Sequence, residues 1–299
     1  MSREQRIEKS IRKLEATDER QYMIEENYEV YEKQGAPIGA EAFHYHSFYE
    51  IIYVLEGEYS SMIENQTYHL HKGDFLLIEQ NVMHKYNYIE KKHDSSKRII
   101  LWITDQMLAW LGEGDMDLSA CFHREGSCAY HFPIYYEEML RGYLLKLAMS
   151  EIPEADIPGA KPVMDRGYLL LFFSYLNVLC GRSEYLCAGE DLINHPLVEK
   201  VGSYVDEHLT ESITVEMLAE HVHMSKYHFL RKFKDLTGVT VHNFVINKRL
   251  IKACEELKKG TNVTEVYQKT GFADYSSFLR NFKGAYGVAP KKYKDFYPD

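Results

Sequence analysis

Residues 229–239 read FLRKFKDLTGV, and residues 278–288 read FLRNFKGAYGV. At a fixed offset of 49 positions, Phe229/Phe278, Leu230/Leu279, Arg231/Arg280, Phe233/Phe282, Lys234/Lys283, Gly238/Gly287 and Val239/Val288 are identical. One structural unit is therefore used twice. Upstream of the first copy, Val215, Leu218, Ala219 and Val222 follow the i, i+3, i+4, i+7 spacing of a short amphipathic helix; Val263, Val266, Tyr267 and Thr270 do the same before the second. The offset here is 48, so the second connecting turn is one residue longer. Thr214 and Asn262 stand where N-caps belong, Asn262 with Glu265 at capping-box spacing. His223-Met224 and Gly271-Phe272-Ala273 fill the turns, and Ser225 and Asp274 are placed to cap the longer helices. The pattern predicts two helix-turn-helix units, about 214–237 and 262–286.

Spacing separates the faces of the longer helices. Phe229, Phe233 and Leu236 share one stripe, as do Phe278, Phe282 and Ala285. That turns Lys226, Tyr227, Arg231 and Lys234 outward in the first copy, and Tyr275, Ser276, Arg280 and Lys283 in the second. Such a set suits duplex DNA: Arg grips guanine or phosphate with two hydrogen bonds, Lys neutralises phosphate, and Ser or Tyr bonds to either. One such face would be an ordinary solvated basic surface; a repeated one is not. Between the copies a helix is predicted over about 242–259, closed by Gly260. At 1.5 Å per residue it spans about 26 Å, a length that suits two reading helices in successive major grooves about 34 Å apart.

These residues carry a resemblance. The stretches ITVEMLAEHVHMSKYHFLRKFKDLTG, RLIKACEELKKG and GFADYSSFLRNFKGAYGVAPKKYK, together spanning about 195–297, resemble the DNA-binding domain of AraC/XylS-type bacterial transcription regulators. Gly271, Phe272, Phe278, Arg280, Phe282, Lys283, Gly287, Val288 and Pro290 fit the pattern of its second helix-turn-helix. Tyr267 departs from it, standing where a small residue is usual and where the first copy has Ala219. The resemblance implies a homodimer acting on double-stranded promoter DNA, with a small-molecule effector and RNA polymerase as further partners.

Residues 21–132 have a different period. EIIYVLEG, EYSSMIE, TYHLHKGD and DFLLIEQ are short, rich in β-branched and aromatic residues, and bounded by Gly57, Asn65 and Gly73-Asp74. A small β-barrel or sandwich is expected. Residues 43–50, FHYHSFYE, would place His44, His46, Phe48 and Glu50 on one face of a strand, and His84 follows after the next hairpins. The run from His44 to Gly57, then Gly73 and His84, resembles the cupin motifs, with Glu79 and Asn81 replacing the usual Pro and Gly. Three imidazoles and a carboxylate suit a divalent transition metal. The resemblance to AraC-type sensor domains implies instead an organic-effector pocket, often for a sugar, using His44, His46, Glu50, Tyr53 and His84, with no cofactor required. Packing is the third reading. The chain's 24 tyrosines offer flat amphipathic surfaces suited to sugar rings or aromatic molecules.

The segment 133–194 reads as two helices, 133–148 and 162–181, followed by a hinge over 182–195. Leu169, Leu170, Phe172, Phe173, Leu176 and Leu179 leave the second helix little polar circumference, and a dimer interface is expected there. A helix is expected over 1–20. The whole is α+β: a cupin-like effector domain, a helical dimerisation segment, and an all-α domain from 195 to 299.

Composition agrees with this division. The net charge is −10, yet the residues from His195 onward carry 16 Lys and Arg against 13 Asp and Glu. Only that part meets a polyanion comfortably. Five cysteines without a C-x-x-C pair read as reduced thiols, and the N-terminus lacks the apolar core of a signal peptide, so a cytoplasmic protein with no membrane partner is expected. No acid–base pair, phosphate loop or nucleophile constellation points to an enzyme. A metal-dependent cupin enzyme or metal sensor fused to a DNA-binding module is the alternative; an adaptor that reuses the helix-turn-helix fold is the third class.

Overall fold

In the computed structural model, residues 23–34, 42–86, 96–124, 127–148, 159–187 and 192–295 are described. The helix expected over 1–20 lies outside them. The chain forms two compact units whose main boundary falls between Ile193 and Asn194.

The first unit is built on two antiparallel sheets. Strands β1 (Tyr28–Gln34), β2 (Tyr49–Glu56), β3 (Glu58–Ile63), β4 (Gln66–His71), β5 (Asp74–Ile78), β6 (His84–Tyr86), β7 (Lys97–Ile103), β8 (Ala129–His131) and β9 (Leu192–Asn194) are arranged as β1-β7-β2-β5-β8 and β6-β3-β4-β9. Among the described residues the two sheets do not close on each other through a continuous ladder, so the expected cupin-like barrel is an open one, two sheets packed as a sandwich. Gly57 and Gly73 take positive φ of 79° and 95° at the β2–β3 and β4–β5 turns, where a side chain would be strained.

Six consecutive residues of β2, from Tyr49 to Val54, are buried, because the five-stranded sheet is covered on both faces. Parity sorts its side chains. Ile52, Val54, Leu76, Ile78, Ile100 and Trp102 meet Tyr59, Tyr68 and Leu70 of the other sheet. Tyr49, Ile51, Tyr53, Phe75, Leu77, Ile99 and Leu101 face outward. That outer face is covered by helices α1 (Asp105–Gly112), α2 (Ile134–Ala148) and α3 (Ala160–Cys180), through residues such as Leu108, Leu140, Phe172 and Leu176. Two polar ties hold the helices in place. Tyr53 of β2 donates to buried Glu137 of α2. Tyr28 of β1 donates to Asp165 of α3 at 2.6 Å, and Lys161 binds the same carboxylate at 2.6 Å. Helix α3 buries one side only. Val163, Leu170, Leu171, Tyr175 and Val178 remain exposed on the other.

From Pro196 to Asp295 the elements are all helices: α4 (Pro196–Glu207), α5 (Val215–His221), α6 (Lys226–Thr237), α7 (Val241–Lys258), α8 (Val263–Lys269), α9 (Tyr275–Tyr286) and α10 (Pro290–Asp295). Phe229, Phe233, Phe278 and Phe282 are fully buried beside Leu218, Val266, Ala253, Cys254 and Leu257. Leu236 and Ala285, expected in the same stripes, are half-buried, and Thr237 takes the inner position, its hydroxyl donating to the Phe233 carbonyl at 2.8 Å.

Candidate DNA interface and effector site

Both helix-turn-helix units form by the same local rules. Thr214 accepts a hydrogen bond from Met217 N at 3.2 Å, and Asn262 accepts one from Thr264 N at 3.1 Å. In the first bend Met224 N bonds to Ala219 O at 2.9 Å, and in the second Phe272 N bonds to Tyr267 O at 3.0 Å. Asp274 caps α9 by accepting from Ser277 N at 2.7 Å; Ser225 occupies the same position before α6 without a side-chain cap bond. Gly238 and Gly287 end the two longer helices in the left-handed conformation, at φ 75° and 70°.

The eight residues expected on the DNA-facing sides, Lys226, Tyr227, Arg231, Lys234, Tyr275, Ser276, Arg280 and Lys283, are all exposed. The two faces differ in charge. Lys226 pairs with Glu216 of α5 at 2.5 Å, and Arg231 Nε lies 3.8 Å from Asp235. The second copy has Thr264 and Gly284 at the positions matching Glu216 and Asp235. Tyr267, in the place of Ala219, is half-buried, and its ring lies 5.8 Å from that of Tyr275 in an edge arrangement. Tyr275 is accordingly 36% exposed where Tyr227 is 78% exposed.

Arg249 of α7 connects the copies. Its guanidinium donates to the carbonyls of Leu209 at 3.0 Å and Glu211 at 2.7 Å, in the loop that leads into α5. The bend of the second unit rests on the same place: a Cβ on Gly271 would meet Leu209 O at 2.1 Å and Arg249 Nε at 2.9 Å.

The residues of the FHYHSFYE stretch do not share one strand. Strand β2 begins only at Tyr49, and His44 instead forms an isolated bridge with His84, their rings 4.2 Å apart. Potential ligand atoms of His46, Glu50 and His84, all buried, lie within 4.8 Å of one another. His44 is outside that group, its Nδ1 3.2 Å from the Ala42 carbonyl. Tyr53 is also apart, since it is three residues from Glu50 and faces α2.

Hydrogen bonds constrain what lies at the cluster. His46 Nδ1 is 2.8 Å from the Phe48 carbonyl, an acceptor, so that nitrogen carries a proton. His46 Nε2 is 3.2 Å from Glu50 Oε2, and Glu50 Oε1 accepts from Trp102 Nε1 at 2.8 Å. An imidazole lone pair and a carboxylate oxygen do not face each other bare. A proton carried by either group makes the contact a hydrogen bond.

The sequence reading did not include Trp102 in this cluster, nor the buried Arg98 and the half-buried Lys33 that share the interior with it. Parity held the signal: in K97 to I103, Arg98 alternates with Ile100 and Trp102, which puts a charge on an inward-facing row.

Comparison with known proteins agrees with this geometry. Residues 31–131 match the AraC-like ligand binding domain, and residues 218–295 match a helix-turn-helix domain. The chain belongs to the AraC family of transcription regulators. It is 22% identical over 258 residues to the probable transcriptional regulator LumQ of Photobacterium leiognathi, covering 86% of this chain and 93% of LumQ. It is 24% identical over 249 residues to the transcriptional activator RhaS of Salmonella schwarzengrund, covering 83% and 85%. Among solved structures, ToxT from Vibrio cholerae aligns over 91% of this chain and 99% of its own at 14% identity and TM-score 0.37. The DNA-binding domain of AdpA, solved with a target DNA, aligns over 34% of this chain and 92% of its own at 33% identity and TM-score 0.32. This AraC-type chain is thus a ligand-binding and DNA-binding regulator rather than an enzyme.

Proposed function

We propose that the protein is a one-component switch in which a small organic effector, held between the two sheets of the first unit, alters how the paired helix-turn-helix units engage promoter DNA. The observation that supports it most is the repeated, exposed basic face of α6 and α9. Lys226, Tyr227, Arg231 and Lys234 would contact one major groove, and Tyr275, Ser276, Arg280 and Lys283 the next. The interior lined by His46, Glu50, His84 and Trp102 would receive the effector, a sugar or other small molecule, with His44 at its edge. An effector shifts such a switch only through a difference in affinity for its two states. The chain would act in the cytoplasm as a homodimer. The exposed apolar side of α3, with Leu170, Leu171, Tyr175 and Val178, offers the dimer surface, and RNA polymerase is the natural further partner of an activator.

Fluorescence anisotropy with the protein's own promoter region tests this reading. Affinity should fall steeply with salt as phosphate contacts release counterions. Arg231→Ala and Arg280→Ala should each weaken specific binding by about 1–3 kcal/mol. Affinity insensitive to salt, or unchanged in both variants, would sink the assigned faces and favour a protein adaptor.

One observation favours a second reading. The facing acceptors of His46 and Glu50, with His84 beside them, fit a divalent transition metal, which would supply charge to hold an oxygen-bearing effector. Elemental analysis of untagged protein should then find about one metal per chain, lost in His46→Ala and in His84→Ala. Metal-free protein with the same effector response would leave the proton as the occupant.

A further inference from the structure

Tyr267 stands in α8 where the first copy has Ala219, and Tyr275 opens α9 where the first copy opens α6 with Lys226. The two differences meet in space. The Tyr267 and Tyr275 ring centres are 5.8 Å apart and the planes cross at 65°, an edge-to-face pair. Phe278, one turn further along α9 and fully buried, adds a second ring 6.3 Å from that of Tyr275. Tyr267 is itself held at both ends: its carbonyl accepts from Phe272 N at 3.0 Å across the bend, and its hydroxyl accepts from Gln268 Nε2 at 3.1 Å. Tyr275 is left 36% exposed, with one part of its ring sheltered and the rest open.

The first copy restrains the same position by different chemistry. Lys226 meets Glu216 of α5 at 2.5 Å, and the residue of α8 that matches Glu216 is Thr264. Each copy thus restrains the first residue of its reading helix, one through an exposed ion pair and the other through packed rings. The consequences on DNA differ. An exposed ion pair holds weakly, and an ammonium group beside a duplex is drawn to phosphate, which carries no sequence information. The first residues of a reading helix lie nearest the base edges, where a tyrosine offers a hydroxyl and an apolar rim. A tyrosine hydroxyl can bond to phosphate as well, but only a ring held in one orientation tells one base edge from another. An edge-to-face partner biases that orientation by about fivefold, and a side chain confined beforehand loses less freedom on binding.

We propose that Tyr267 is a positioning residue that holds Tyr275 as a specificity-determining side chain of the second copy, so that the base pair under the start of α9 is discriminated sharply and the one under the start of α6 is not. This rests on the reading of α9 as a DNA-contacting helix, and adds a division of labour to it. Lys226 opens the first copy on the backbone, and Tyr275 opens the second on a base.

The test uses the operator that the full chain recovers from a pool of random duplexes, with all four base pairs placed in turn at each position and affinity read by anisotropy. Tyr275→Ala locates its own base pair as the position where preference is lost. There the unaltered chain should favour the best base pair over the worst by about tenfold or more. Tyr267→Ala, which restores the small residue of the first copy, should cut that ratio to about twofold while leaving affinity for the worst base pair unchanged. Tyr267→Leu fills the space without a ring and should do the same, so the test survives if the alanine variant does not fold. Tyr267→Phe keeps the ring and should keep the ratio. Lys226→Ala should weaken all sequences alike and reduce the salt dependence. An undiminished ratio in Tyr267→Leu would overturn the inference, and so would a loss of affinity equal for all four base pairs, which marks a packing role alone. If Tyr275→Ala erases no preference while Arg280→Ala still weakens binding, the inference fails and the reading of α9 stands; if neither variant has an effect, both fail.

Discussion

At the bend of the first helix-turn-helix stands His223 with φ 56°, and at the matching bend of the second stands Gly271 with φ 78°. The backbone conformation is the same, and its tolerance of a side chain is set by what lies outside the bend. His223 pays for a left-handed conformation that imidazole-bearing residues adopt more readily than most. Gly271 has no such option, because Leu209 O and Arg249 Nε occupy the space of a Cβ. The comparison extends to charge. The first reading helix keeps Glu216 and Asp235 against its basic side chains, whereas the second presents Arg280 and Lys283 beside Thr264 and Gly284. A repeat that shares its core has thus diverged into a buttressed, more basic copy and a freer, partly self-neutralised one.

The largest effect expected from this contrast is at the bends. Gly271→Ala should destabilise the DNA-binding unit by about 3 kcal/mol or more, since both backbone and the Arg249 side chain must move. His223→Gly should change stability by less than about 1 kcal/mol, the relief of left-handed strain being offset by the greater freedom of glycine in the unfolded chain. Chemical denaturation of the two variants side by side decides it; comparable losses would break the comparison.

Next come the reading faces. Within the range given above, Arg280→Ala should fall near about 3 kcal/mol and Arg231→Ala near about 1 kcal/mol, because Arg231 leaves a partner when it meets DNA. Equal losses in anisotropy would show that the carboxylate of Asp235 is immaterial. The smallest effect sharpens the same point. Asp235→Asn and Glu216→Gln should each tighten DNA binding a few-fold and steepen its dependence on salt, by releasing Arg231 and Lys226 to phosphate. Tightening by the corresponding changes around α9 is not available, since Thr264 and Gly284 stand where the first copy has Glu216 and Asp235.

The helical half was legible because its determinants are local. Apolar spacing, caps and two C-terminal glycines each act within one turn of helix, and their repetition at 48 and 49 residues removed ambiguity. Ser225 shows the limit: the residue is at the N-cap, yet its hydroxyl makes no cap bond. The sandwich was legible as strands and less so as a site. His44 is held by His84, forty residues away, and not by the β2 ladder, so strand periodicity could not place it. Tyr53 was assigned to the pocket although an odd spacing from Glu50 puts it on the opposite face. Arg98 follows Lys97 at the start of its strand. Only the second sheet, with Tyr59 and Tyr86, makes that position an interior one.

The central claim is that α6 and α9, joined by the 18-residue α7, read successive major grooves of one duplex. Its most direct test is affinity for the selected operator against the same operator with about five base pairs, half a helical turn, inserted between its two contacted segments. The account predicts that the insertion reduces affinity about as much as removing one segment altogether, with Arg280→Ala then adding little when the α9 segment is the one displaced. Affinity unchanged by the insertion would contradict it, and would mean that the two units do not read the same duplex as one rigid pair.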